Sequence, residues 1–373
     1  MTGESLLEAA ERIAAAADAP AVTPEEERGK ANAILRGLAA ERALSAPVPI
    51  ELGGLGLPIL EVARVVAAVS AASGSAGLIC AMHLAQVITL VRHGHGEPFT
   101  GFLRRQAEGQ ILVASGTSEV GVGGDILKSL CRTVPDEGGY RLTKSCANIS
   151  YLDQAGAILA TVMHEERGRA IQRLVLLEAK GFAFRVDRET LLVGLRGIVN
   201  RAVTIEGRFD AAAIFPEPFT VIARTMSAAS HLLWSAVWSG IAAAALDRAE
   251  AIAAGGPEGG GPGAHRLSAA AERLYAMNAL IRDGCAAFDA AAASGPVFQA
   301  GSRFNSLKIR CAEHLAEIVA DCGVVAGFQG YVEGTPHSLS ERLRDSFSAR
   351  IMVSNDRLSG ANAMVRRLVR ERI

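Results

Sequence analysis

The sequence predicts a mainly α-helical protein with a β domain in its middle. Three observations lead there. Apolar residues recur at helical spacing up to about residue 109. From 110 to about 215 the pattern changes to short β-rich runs, divided by turn signals such as Asp136-Glu137-Gly138-Gly139 and Glu165-Glu166-Arg167-Gly168. Helical spacing then returns and holds to the end, beginning with residues 225–246, which carry no Asp, Glu, Lys or Arg. The expected domains are an N-terminal helical domain (1–109), a middle β domain (110–215) and a C-terminal helical bundle (216–373).

In the first region Leu6, Leu7, Ala10 and Ile13 form one apolar stripe. Thr23-Pro24-Glu25-Glu26 is a helix start: a capping hydroxyl, proline in the first turn, then acids at the positive end of the dipole. Residues 58–72 and 74–93 read as two largely apolar, hence buried, helices. In the middle region strands are expected at 111–115, 126–134, 141–149, 157–163 and 173–177. Strands this close together, without helices between them, suggest an antiparallel barrel or sandwich. In the last region a Gly/Pro loop at 255–263 separates two helices, and 305–325 and 339–353 read as two more.

The 225–246 stretch is long enough to span a bilayer. Its Ala, Ser and Gly on every face instead suit a helix packed on several sides, with one face expected in a subunit contact. A homodimer or homotetramer, built through the bundle, is therefore expected.

Composition excludes several classes. Hydrophobic residues make up 50% and charged residues 21%, which fits a globular chain rather than a disordered one. With 38 basic and 39 acidic residues the formal net charge is -1, so no basic excess points to nucleic acid or an anionic membrane surface. The six cysteines show no Cys-x-x-Cys spacing and read as buried small hydrophobes in a reducing, cytoplasmic setting. The opening segment reads as a charged amphipathic helix rather than a signal peptide. His93-x-His95 lacks the neighbours a metal site needs; helix-end histidines there are expected to cap carbonyls.

The segment 118–125, Ser-Glu-Val-Gly-Val-Gly-Gly-Asp, follows the first expected strand. Glycines beside a hydroxyl let backbone approach a flat ligand and point N–H groups at it. The dinucleotide fingerprint Gly-x-Gly-x-x-Gly opens a helix after its strand, and no helix is expected here.

Five landmarks occur in a telling order: Val48-Pro49-Ile50-Glu51-Leu52-Gly53-Gly54-Leu55-Gly56-Leu57; the 118–125 loop; Leu142-x-x-x-Cys146-x-Asn148-x-Ser150; Val193-Gly194-Leu195-Arg196-Gly197 leading to Val203-Thr204-Ile205-Glu206; and Gly327-Phe328-Gln329-Gly330-Tyr331 before Arg342-Leu343-Arg344-Asp345. Together, over nearly the whole chain, they resemble the acyl-CoA dehydrogenase superfamily of flavoproteins. The resemblance implies an N-terminal helical domain, a β barrel or sandwich, a C-terminal four-helix bundle, and FAD between the last two. It implies α,β-dehydrogenation of an acyl thioester, on CoA or a carrier protein, with a flavoprotein or oxygen as electron acceptor. Thr117, Ser118, Gly123 and Gly124 match the family's flavin loop, and Asn148 and Ser150 its second flavin contact. Asn355 joins them as a cofactor residue. Gly327 and Gly330 match the segment that receives a partner subunit's FAD.

The departures matter as much. Asn148 stands where the family has an aromatic, and the Arg-x-x-Phe-Gly that reaches a neighbour's FAD is missing. The position of the usual catalytic glutamate falls near Val353-Ser354-Asn355, which holds no carboxylate. Removing an α-proton needs a positioned base. Glu258 is the first candidate and Asp356 the second. Two other readings stay open: a flavin-dependent monooxygenase of the same fold, and a catalytically silent binding or assembly partner.

Overall fold

The structure is a computed structural model, and it describes residues 2–255, 263–294 and 300–366. Five helices come first: α1 (Gly3–Ala17), α2 (Pro24–Ala40), α3 (Ile59–Ala72), α4 (Gly74–His93) and α5 (Phe99–Gly109). Seven strands follow: β1 (Val113–Gly116), β2 (Val134–Asp136), β3 (Gly139–Ser150), β4 (Ala157–Glu166), β5 (Arg169–Glu178), β6 (Phe182–Thr190) and β7 (Asn200–Phe209). The chain then builds α6 (Phe219–Ala254), α7 (Ala264–Ser294), α8 (Ala300–Tyr331), α9 (Ser340–Ile351) and α10 (Asn355–Arg366). The fold is mainly α with a central β region.

Local chemistry sets these boundaries. At the start of α2 the Thr23 hydroxyl accepts from the Glu26 N–H at 3.2 Å, and the Glu26 carboxylate accepts from the Thr23 N–H at 3.0 Å. This is a reciprocal cap, as the sequence predicts. At the tight joint between α3 and α4, Ser73 caps α4 by accepting from the Ala76 N–H at 3.2 Å.

The helix α6 is the axis of the molecule. It packs against α3 and α4 on one side and α7 and α8 on the other. Gly240 permits the closest approach: a Cβ there would sit 2.1 Å from the Ala67 carbonyl of α3. Among the described residues two helices, α4 and α6, are long and apolar enough to cross a membrane, and 89% of each apolar window is buried inside the chain. The surplus apolar surface of 225–246, expected in a subunit contact, is therefore covered by the chain's own helices.

The β region forms two sheets, with orders β1-β4-β5 and β2-β3-β7-β6. The second is antiparallel throughout. The first corrects the all-antiparallel expectation, because β1 pairs with β4 in parallel, Val113 opposite Ala157. The chain leaves β1, makes the β2–β3 excursion and re-enters beside β1 in the same direction. Residues 126–134 do not form the expected strand. The Asp125 side chain accepts from the Leu127 N–H and its carbonyl from the Lys128 N–H, which makes a turn. The Leu130 N–H is taken by Glu119. A single bridge, Arg132 to Met163, is all that remains of a ladder before β2.

Candidate functional site

The glycine loop leaves the end of β1 and is pinned from beneath by Glu119. That carboxylate is almost fully buried and accepts from Lys144 Nζ at 2.6 Å, the Ser129 hydroxyl at 2.8 Å and the Leu130 N–H at 2.9 Å. Lys144, on β3, is itself buried and also donates to the Thr161 carbonyl of β4 at 3.0 Å. A buried ion pair holds only when its remaining hydrogen-bonding capacity is met, as it is here. The Val120 N–H adds a bond to the Ser145 carbonyl at 3.0 Å.

Above this anchor the loop is open. Gly121, Gly123 and Gly124 all have left-handed backbone, with φ of 91°, 62° and 73°, a region that side-chain-bearing residues rarely adopt. A Cβ on Gly123 would meet nothing within 4 Å. The N–H groups of Gly121, Val122, Gly123 and Gly124 reach no acceptor among the described residues. Gly121, Gly123 and Gly124 are exposed and Val122 is buried, so the three glycine N–H groups are open to solvent or to a ligand.

Ser118 and Ser150 are linked through Asn148 and Asn200. The Ser118 hydroxyl accepts from the Asn148 N–H at 3.2 Å, which leaves its own proton free to donate. A bulge between Cys146 and Ile149 shifts the β3 register, so that Asn148 and Ser150 stand on the side of β3 where Asn200 begins β7. The Ser150 hydroxyl donates to Asn200 Oδ1 at 2.7 Å, and Asn148 Nδ2 donates to the same oxygen at 3.3 Å. Asn200 donates in turn to the Ile198 carbonyl at 3.1 Å. Ser118 thus offers a donor and Ser150 an acceptor beside one open loop. Thr117 is half-buried and shares a hydrogen bond with Ser115 at 3.1 Å.

Beyond the loop stands the joint between α9 and α10. Val353, in the turn, adopts φ of 45°, costly for a β-branched residue. The buried Lys308 of α8 braces this turn. It donates to the Ala349 carbonyl at 2.9 Å and to Asn355 Oδ1 at 2.7 Å. Burial pushes the Lys308 ammonium down to about 8. Asn355 Nδ2 donates to Glu313 at 2.9 Å, so both ends of that amide are engaged within the bundle. His231 lies near Lys308; burial first, and the Lys308 charge second, push it down to about 3. It is a neutral core histidine. Asp356 is exposed in the first turn of α10, and Glu258 falls outside the described residues.

Gly327 and Gly330 lie near the end of α8. Gly327 breaks the helix with φ 55° and ψ -141°, and the Gly330 carbonyl accepts from the Leu339 N–H at 2.8 Å. His93 does not cap a helix end as expected. Its ring bridges Glu217 and the Thr225 hydroxyl, tying α4 to the start of α6. Among the described residues no cluster of His, Cys, Asp and Glu could hold a metal ion, and the six cysteines are free and buried.

Sequence reasoning did not single out Glu119, Lys144, Asn200 or Arg357. Arg357 comes from α10 and donates to the Gly123 carbonyl at 3.1 Å and to the Gly124 carbonyl. The signal for Glu119 and Lys144 lay in an acid inside an apolar loop and a lysine at an inward position of β3. Asn200 and Arg357 carry no local signal, because their partners are 50 and more than 230 residues away.

A helical domain, two small sheets with a ligand-open glycine loop, and a helical bundle together define the acyl-CoA dehydrogenase fold. The family model described as acyl-CoA dehydrogenase, N-terminal domain, matches residues 2–110. The mitochondrial isovaleryl-CoA dehydrogenase of Solanum tuberosum is 37% identical over 100 residues, which cover 26% of this chain and 24% of that protein. Among solved structures, butyryl-CoA dehydrogenase from Megasphaera elsdenii superposes with a TM-score of 0.83 at 18% identity, covering 98% of each chain. PigA, solved with FAD and proline, superposes at 0.78 and 18% identity over 97% of this chain and 96% of its own. The N-terminal domain thus matches that family model, and the chain as a whole has the fold of the acyl-CoA dehydrogenases.

Proposed function

We propose that the protein is an FAD-dependent oxidoreductase acting on an acyl thioester, carried on CoA or on a carrier protein. The observation that supports this reading is the open cradle over Gly123, flanked by unpaired loop N–H groups and by two fixed hydroxyls of opposite hydrogen-bonding character. These residues suit a flat heteroaromatic ring with both carbonyl and N–H edges. Ser118 and the loop N–H groups would donate to its carbonyls, and Ser150 would accept from it. When bound, the flavin supplies the two-electron redox chemistry. The chain's contribution is to position donors where reduction places negative charge.

Dehydrogenation also needs a base for the α-proton. Glu258 and then Asp356 are the acids proposed for it, and Asp356 stands three residues from Val353 in the structure. A second reading, a monooxygenase using reduced flavin and oxygen, is favoured by one observation. The joint between α9 and α10 is filled by Val353, Ser354 and Asn355, with the Asn355 amide already committed. A reducing, cytoplasmic compartment and a homo-oligomeric state belong to the same proposal.

The purified protein supplied with FAD is expected to show a flavin spectrum, and anaerobic addition of an acyl-CoA series should bleach it. Asp356→Asn or Glu258→Gln should slow that bleaching by about 10² if the altered residue is the base. A flavin spectrum that no acyl thioester bleaches would favour the monooxygenase. A colourless protein would overturn both readings.

A further inference from the structure

The glycine loop is held from two sides, and the second side is charged. The Arg357 guanidinium lies against the carbonyls of Gly123 and Gly124, and a Cβ on Gly124 would come within 3.1 Å of Arg357 Nη1. A guanidinium carries five donors. Two N–H groups here meet loop carbonyls, and the others reach no acceptor among the described residues. Among the described residues no carboxylate pairs with it: Asp125 at the loop's end is taken by Lys128 at 3.5 Å, and Asp356 makes no bond to its neighbour. The positive end of α10, whose third residue is Arg357, adds to the same field. An exposed arginine is ordinary. One fixed on two carbonyls of an open loop, with spare donors and no counter-charge among the described residues, beside the exposed N–H groups of that loop, is suited to an anion.

We infer that Arg357 receives a phosphate of the flavin nucleotide. The inference rests on the flavin reading above. Ser118 and Ser150 mark the ring end of the cradle; Gly123 and Gly124 lie five and six residues further along the loop, on the side of α10. A nucleotide whose ring sits between the two serines carries its phosphate on a ribityl chain leading away from them. The planar fork of arginine suits phosphate oxygens, and its contacts with the loop hold it in place before the ligand arrives. The other phosphate donor available to this protein is the CoA or carrier part of the substrate. The flavin nucleotide is preferred because Arg357 holds the same loop that receives the ring.

The full-length chain, freed of copurified flavin, is titrated with FAD, FMN, riboflavin and CoA. Arg357→Gln and Arg357→Lys are titrated alongside it, with circular dichroism to show that each is folded. Arg357→Gln is expected to weaken FAD and FMN by about 10- to 100-fold while riboflavin, which has no phosphate, is unchanged. Arg357→Lys should recover part of the loss, and raised salt should weaken FAD binding less in Arg357→Gln than in the parent. Equal FAD affinity in parent and Arg357→Gln overturns the inference. So does an equal loss for riboflavin, which would make Arg357 a brace for the loop only. A loss confined to CoA assigns the phosphate to the substrate and also overturns it. A parent that binds none of the three flavins removes the flavin reading itself.

Discussion

His83 shows how much one side chain decides. Its Nε2–H donates to the Leu44 carbonyl at 2.7 Å, and its Nδ1 accepts from the Val113 N–H at 2.9 Å. It therefore joins α4 to the turn after α2 and to the first residue of β1. Only the neutral ring serves both partners, since a proton on Nδ1 would face an N–H donor. Burial pushes the group down to about 4, against an unfolded value of about 6.5. The unfolded chain thus binds the extra proton first. The stability that neutral His83 contributes is fully present above about pH 6.5 and is lost as pH falls toward 4. Urea unfolding of the parent and His83→Gln should show the parent's advantage shrinking from pH 7.5 to pH 5. An advantage that stays constant would mean His83 does not titrate in this way. In the sequence His83 is one more histidine in an apolar helix; nothing near it indicates partners 39 residues before and 30 after.

At the scale of elements, the bundle leaves apolar faces that the chain does not cover. On α8, Val324 is exposed before the break at Gly327, and Phe328 and Tyr331 are exposed three residues apart after it. On α9, Phe347 and Ile351 are exposed four residues apart. Phe328 and Tyr331 flank Gly330 beyond the break at Gly327. These faces, rather than α6, are where a second copy of the chain is expected to pack. Phe328→Glu should lower the sedimentation coefficient toward that of a monomer while leaving the circular dichroism spectrum unchanged. Unchanged sedimentation would remove α8 from the contact. Apolar residues in the sequence single out α6, because nothing along the chain shows that α3, α4, α7 and α8 cover them.

The whole molecule is locked by a charge network where its three parts meet. Glu27 of α2 accepts from Arg196 Nε at 2.9 Å, in the turn between β6 and β7, and from Arg344 of α9 at 2.8 Å. Close by, Lys30 pairs with Glu341 at 2.7 Å, and Arg342 donates to the Ala71 carbonyl at 2.7 Å. Asp345 accepts from the Leu195 N–H; burial, and then the Glu341 charge, raise it above the usual carboxylate range. Glu27→Gln would leave Arg196 without the carboxylate it bonds, and Arg344 with Glu333 alone. The expected loss is about 3 kcal/mol, modest for a broken buried pair because both arginines keep contact with water. It should appear as a lower midpoint in thermal or denaturant unfolding. A midpoint equal to the parent's would show the network to be dispensable.

The succession of helical, β and helical regions, the apolar character of α4 and α6, the cap of α2 and the positive-φ glycines of the loop were readable from the sequence alone. Each of these is a matter of neighbours: periodicity, a capping hydroxyl, glycine where φ is positive. Ser118 and Ser150 stand out as candidates through a resemblance that spans the chain. Only the tertiary structure decided which groups hold them. Asn200 reaches Ser150 across a strand pair, Lys144 reaches Glu119 beneath the loop, and Arg357 reaches Gly123 and Gly124 from the last helix. The parallel pairing of β1 with β4 belongs to the same class. Hydrogen bonds and ion pairs fall off within a few ångströms, so they report where the chain returns in space, and residues far apart along it carry no local mark of that return.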